Sequence, residues 1–236
     1  MFNVESHKAF GPMKKILSGI SSANFPAFIS FVNYRADAKA SNWKTDTDNY
    51  GFSTFESKFK VNGVFYEELF KHTIRTKIVG DALEMFAGFF CQWFETDIEI
   101  GVKRGTWEFT SDGRDLGCDA VGVLGTNGAK CFTQVKYRSN PNDKPFDLEV
   151  FCKLFTQATI SYGMDYSDSS QRLMFFTNIP FKKADKAAAR TLPFISMAND
   201  CKVPVVLIGK NEIESKVGGK NLTNVEFWKA FNGMFN

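Results

Sequence analysis

Apolar side chains recur every three to five positions between residues 64 and 94: Phe65, Leu69, Ile74, Ile78, Leu83, Phe86, Phe90 and Trp93. That spacing lies close to the helical period and predicts helix, with Gly80-Asp81 as a point where it divides in two. Asp81 would cap the second half, with Glu84 three residues on. Residues 96–110 alternate through Ile98, Ile100, Val102 and Trp107-Glu108-Phe109, which predicts one or two strands. Two short apolar runs follow, 116–124 and 129–137, joined by Gly125-Thr126-Asn127-Gly128. Asn-Gly between such runs is the strongest short hairpin signal. Asp147 can cap a helix over 147–162, whose apolar positions are Val150, Leu154, Phe155, Ala158 and Ile160. Leu173 to Phe176 reads as a buried strand, and 182–199 as a helix kinked or ended at Pro193. Val203 to Gly209 reads as a strand covered on both faces, and 222–234 as a closing helix.

The first 60 residues are less regular. Phe25 to Tyr34 reads as a strand after Pro26, and 35–50 as a polar loop. Phe52, Phe55 and Phe59 fit a helical stripe as well as a loop clamp. Strands alternating with helices beyond this point predict an α/β sandwich around a mixed sheet. The chain is therefore divided into an N-terminal extension or small recognition lobe, 1–60, and a core, 61–236.

Composition narrows the class of protein. The 236 residues suffice for one large domain or two small ones, and 44% hydrophobic with 23% charged residues is ordinary for a globular chain. The 26 phenylalanines imply a filled core or aromatic surfaces. A net charge of +3 neither demands nor opposes nucleic acid as a partner. Five cysteines without a Cys-x-x-Cys pair read as reduced thiols of an intracellular protein, cytoplasmic or nuclear. Two distant histidines, His7 and His72, argue against a zinc site. No signal peptide and no apolar run of about 18 residues is found, so no membrane association is expected.

The hairpin carries the candidate chemistry. Strand side chains alternate faces, so Gln134 and Lys136 point the same way, with Val135 opposite. Asp119 on the neighbouring strand can meet them, which is the arrangement of a metal-dependent phosphodiesterase. Gly117-Cys118-Asp119, a short hairpin and Gln134-Val135-Lys136 together resemble the PD-(D/E)xK nuclease superfamily, in the Mrr-type restriction endonuclease variant that has Gln in place of the acid before x-Lys. The resemblance covers roughly residues 80–180. It implies a restriction-endonuclease-like three-layer α/β sandwich around a mixed central β-sheet, with an N-terminal extension. It implies DNA as substrate and Mg²⁺ as cofactor, with Mn²⁺ able to substitute. Glu84, Asp119, Gln134 and Lys136 would be the catalytic set, with Glu84, Asp119, Gln134 and the Val135 carbonyl as metal ligands. An endonuclease acting in restriction or in viral or mobile-element DNA processing is the implied role, working as a homodimer or with a helicase or motor subunit. Cys118 stands where many members carry Pro.

Each residue alone also suits a structural role. Asp119 fits a strand-end carboxylate, Glu84 a first-turn helix residue, and Gln134 and Lys136 a solvated edge. Their order and flanking elements favour the site. Gln134 removes one negative charge and so leaves a second reading open: a nuclease-fold module that holds DNA or docks a larger assembly without cutting. Tyr137, Arg138 and Lys144 are candidate phosphate contacts, with Lys103, Arg104 and Arg114 before the hairpin and a basic cluster of Lys182, Lys183, Lys186 and Arg190 after it.

Overall fold

The computed structural model describes residues 2–45, 51–110, 117–181, 194, 196–218 and 221–236. In chain order the elements are α1 (Phe10–Leu17), α2 (Phe25–Ser41), α3 (Phe52–Glu56), a 3₁₀ turn (Ser57–Phe59), β1 (Lys60–Val61), β2 (Val64–Phe65) and α4 (Glu67–Trp93). There follow β3 (Glu108–Phe109), β4 (Ala120–Val123), β5 (Lys130–Lys136), α5 (Leu148–Tyr162), β6 (Arg172–Thr177), β7 (Val205–Ile208), α6 (Lys210–Val217) and α7 (Leu222–Gly233). Residues 196–200 are also helical. The structure is mixed α/β, and no described helix is long and apolar enough to cross a membrane.

Contacts divide the chain into two compact units, one of Met1–His7 with Leu83–Lys216, the other of Lys8–Ala82 with Val217–Asn236. The boundary read at residues 60 and 61 does not coincide with this division. Apolar faces far apart in sequence bury one another, which a linear cut does not capture.

In the second unit, the expected strand at 25–34 is instead the start of α2. Asn24 Oδ1 accepts from the Ala27 N–H at 2.9 Å, and Pro26 lies in the first turn, where its fixed φ suits a helix. Phe25, Phe28, Val32, Ala36 and Ala40 form the buried stripe. The Phe28 ring lies 5.3 Å from Phe231 and 6.3 Å from Trp228 of α7. The helix consumes residues 35–41 of the expected loop, and Phe52, Phe55 and Phe59 prove helical. The expected break at Gly80-Asp81 does not occur. Asp81 pairs with Lys77 one turn earlier (3.1 Å) instead of capping a new helix. Buried Ile78, Val79, Ala82 and Leu83 around Gly80 outweigh its helix penalty of about 1 kcal/mol.

The first unit is built on a five-stranded sheet of order β3-β4-β5-β6-β7. The β3/β4 and β4/β5 pairs are antiparallel, whereas β5/β6 and β6/β7 are parallel. Adjacent residues of β6 face opposite ways and meet different helices. The Phe176 ring packs 5.8 Å from Phe90 and 6.1 Å from Phe86, both on α4. The Phe175 ring packs on the other side, 5.8 Å from Phe151 of α5, 5.1 Å from Phe146 and 4.8 Å from Phe194. Helices thus cover both faces, and many of the phenylalanines fill the two interiors. Each fully buried ring contributes about 1.5–3 kcal/mol.

Of the strands expected in 96–110, β3 forms only at Glu108–Phe109, and Val102 makes an isolated bridge to Leu124. Asp97 explains the shortfall. Its Oδ1 accepts from the Glu99 and Ile100 N–H groups at 3.0 and 3.1 Å, closing a turn. The strand expected at 203–209 forms as β7, but it is outermost in the sheet, and Val205, Val206 and Leu207 are half-buried. The basic cluster Lys182, Lys183, Lys186 and Arg190, most of the helix expected over 182–199, and Arg114 lie outside the described residues.

Candidate functional site

The hairpin forms as its turn chemistry predicts. The β4–β5 register pairs Ala120 with Thr133 and Val123 with Lys130. Gly128 sits at φ +74°, a conformation that favours glycine, and Asn127 Oδ1 accepts from the Ala129 N–H at 3.0 Å. At the other end, Gly117 (φ +86°) brings the chain onto α5 so closely that a Cβ would lie 2.5 Å from Lys153 Cβ.

That approach delivers Asp119 between two strands. Its N–H donates to Thr133 O at 2.8 Å, and its carbonyl accepts from the Thr110 N–H at 2.9 Å. One register step beyond Ala120–Thr133, Asp119 faces Gln134. The carboxylate Oδ2 accepts from the Val135 N–H at 2.6 Å and from Gln134 Nε2 in a short contact. Gln134 Nε2 also donates to Val135 O at 3.3 Å. Asp119, Gln134 and Val135 therefore form one hydrogen-bonded knot. Gln134 is 0% exposed, and its Oε1 has no hydrogen-bond partner. A buried acceptor of this kind lacks what most buried polar atoms have. Lys136 ends β5, half-buried, on the same face as Gln134.

Glu84 does not join this knot. Its Oε2 lies 3.0 Å from His7 Nε2, with His7 almost fully buried. The His7 ring stands edge-on to Phe109 at 4.6 Å, and Phe109 pairs with Ala120, beside Asp119. Glu84 is thus linked to the hairpin through β3, without a described contact to Asp119, Gln134 or Lys136. The sequence gives no warning of His7, which is one isolated histidine near the start of the chain.

The residues after Lys136 are used by the chain itself. The Arg138 N–H donates to Asn178 Oδ1 at 2.7 Å, and Asn178 Nδ2 donates to Arg138 O at 2.8 Å. Arg138 Nε donates to the carbonyls of Lys144 and Pro145 at 3.1 and 3.2 Å. Lys144 pairs with Asp147 at 2.9 Å, and Asp147 Oδ1 caps α5 at the Val150 N–H. Arg138 and Lys144 therefore shape the loop before α5. Tyr137 is half-buried beside them. Burial, reinforced by the adjacent Asp119 charge, pushes the Cys118 thiol up to about 12, so it stays a protonated, poorly nucleophilic thiol near neutral pH.

The donor set is carboxylate, amide and backbone-carbonyl oxygen, with a lysine next along the strand. Hard oxygen donors of this kind suit Mg²⁺, Mn²⁺ or Ca²⁺. The amide oxygen of that set, Gln134 Oε1, is unpartnered, so the residues present fit such an ion. Comparisons with protein-family models, with curated proteins and with solved structures return no match.

Proposed function

We propose that the chain is a Mg²⁺-dependent deoxyribonuclease with a restriction-endonuclease-like core, hydrolysing phosphodiester bonds. The observation that carries this reading is the Asp119–Gln134–Val135 knot with its buried, unpartnered Gln134 Oε1. The element order supports it: a helix carrying Glu84, the hairpin, a helix and a parallel strand follow in the sequence that the resemblance implies.

Asp119 and the carbonyl oxygens of Gln134 and Val135 would hold the cation, and Glu84 would add a second carboxylate on leaving His7. When bound, Mg²⁺ supplies water activation, charge neutralisation on the phosphate and relief for the leaving oxygen. Lys136 stabilises the negative charge that develops on the phosphate. The Val135 N–H fixes the Asp119 carboxylate, so the ligand oxygens are oriented before substrate arrives. Cleavage of both strands with one such site per chain calls for a second copy or a partner subunit.

The test is cleavage of plasmid and linear DNA with Mg²⁺ or Mn²⁺, comparing wild type with Asp119→Ala and Lys136→Ala. Both substitutions should abolish cleavage while circular dichroism shows a folded chain. Full cleavage by both variants, or cleavage without a divalent cation, would refute the reading.

A second reading, a DNA-holding module that does not cut, has one observation in its favour: Glu84 is engaged by His7 rather than by the hairpin. Salt-sensitive DNA binding without cleavage in any metal would favour it.

A further inference from the structure

Three buried side-chain atoms of β5 and β6 lack a hydrogen-bond partner: Thr133 Oγ1, Gln134 Oε1 and Thr177 Oγ1. Such groups are uncommon, and each calls for a physical reason, such as a role in chemistry or a water or ion that completes it. Thr133 pairs in register with Ala120 and Met174, on the face away from Gln134. Thr177 pairs with Lys136 and so shares the face of Lys136 and Gln134. It is 0% exposed. Two residues with unpartnered oxygens, Gln134 and Thr177, therefore sit at diagonal register positions near the carboxyl ends of two parallel strands, with Lys136 paired to Thr177. Carboxyl ends of parallel strands are where α/β sheets bind ligands. The Asn178 clamp on the Arg138 backbone fixes these two strand ends against each other.

We propose that Thr177 is a positioning residue of the Asp119–Gln134 site, its hydroxyl holding a water of a hydrated divalent cation bound there. The inference rests on the metal-dependent reading above. Mg²⁺ keeps several of its waters when a protein supplies few carboxylates. Those waters need neutral oxygen partners, and a threonine hydroxyl can both donate and accept. In the fold without a ligand, the hydroxyl is unfavourable. Replacing it by a methyl group removes a buried, unsatisfied polar atom and should leave stability unchanged or raised.

The experiment compares wild type, Thr177→Val and Thr177→Ser, titrating Mg²⁺ and Mn²⁺ alone by calorimetry and by thermal unfolding, with DNA cleavage measured in parallel. Without metal, Thr177→Val should unfold at or above the wild-type temperature. Its metal affinity should fall roughly fivefold, the loss of one hydrogen bond, and Thr177→Ser should restore it. Wild-type metal affinity in Thr177→Val overturns the inference, as does a failure of Thr177→Ser to restore binding. Destabilisation of Thr177→Val in the absence of metal overturns it too, because the hydroxyl would then be structural. Metal binding that follows this pattern without cleavage by wild type upholds the inference and removes the nuclease reading. A wild-type chain that binds neither metal removes both.

Discussion

Replacing Gln134 by glutamate probes the knot most directly. In the wild type, the amide donates to Asp119 Oδ2 and to Val135 O, and the side chain is 0% exposed. A glutamate has no N–H to donate, and it would place a second carboxylate against the first. Two carboxylates at hydrogen-bonding separation, one buried and one half-buried, share one proton, which raises one of their pKa values. A rise of about two units is equivalent to about 2.7 kcal/mol, and the lost hydrogen bond adds about 1 kcal/mol. The sign follows from linkage. A carboxyl raised in the folded state holds its proton there and loses it in the unfolded chain, so the penalty grows as pH rises above about 4.3. Urea unfolding should show Gln134→Glu less stable than wild type by about 3–4 kcal/mol at pH 8, narrowing to about 1 kcal/mol at pH 4.5. Added Mg²⁺ should recover much of the deficit at pH 8, because a cation replaces the shared proton. A deficit of equal size at both pH values, or one indifferent to Mg²⁺, would refute the placement of these two side chains around a common ion.

Gly117→Ala combines a left-handed backbone with a Cβ 2.5 Å from Lys153 Cβ and 3.0 Å from its carbonyl carbon. It should destabilise the fold by about 2–4 kcal/mol in chemical denaturation, and an unchanged midpoint would contradict the close approach to α5. Burial alone would raise the Asp97 carboxyl, but Lys216 Nζ at 2.5 Å and the two turn N–H groups hold it below the usual range. Its contribution is therefore present above the unfolded value and is lost as pH falls through the lower folded one. Asp97→Asn should lose about 1–2 kcal/mol at pH 7, with the difference from wild type shrinking as pH drops below about 3.9, measured by urea unfolding. Thiol labelling of the native chain at pH 7.5 should modify the exposed Cys152. It should spare Cys118 and Cys131, both pushed up to about 12 mainly by burial, until denaturant exposes them.

The local elements were legible wherever period and turn chemistry are local. Asn127-Gly128 announced the hairpin, Asp147 announced α5, and the apolar run at 173–176 announced β6. Reading failed where two local rules competed. Phe25-Pro26 looks like strand after a breaker, yet proline in the first turn of a helix removes no hydrogen bond, and Asn24 caps that turn. Gly80-Asp81 looks like a break, yet burial on both sides carries α4 through it.

The sequence by itself determined that Asp119, Gln134 and Lys136 can share one strand pair, because alternation and a short turn leave that register little freedom. Only the tertiary structure decided which groups surround them. Glu84 finds His7, 77 residues away, instead of the hairpin. Thr177 comes beside Lys136 because a crossover through α5 sets the β5/β6 register. Such pairings depend on how distant apolar faces bury one another, a property of the whole chain that no local pattern carries.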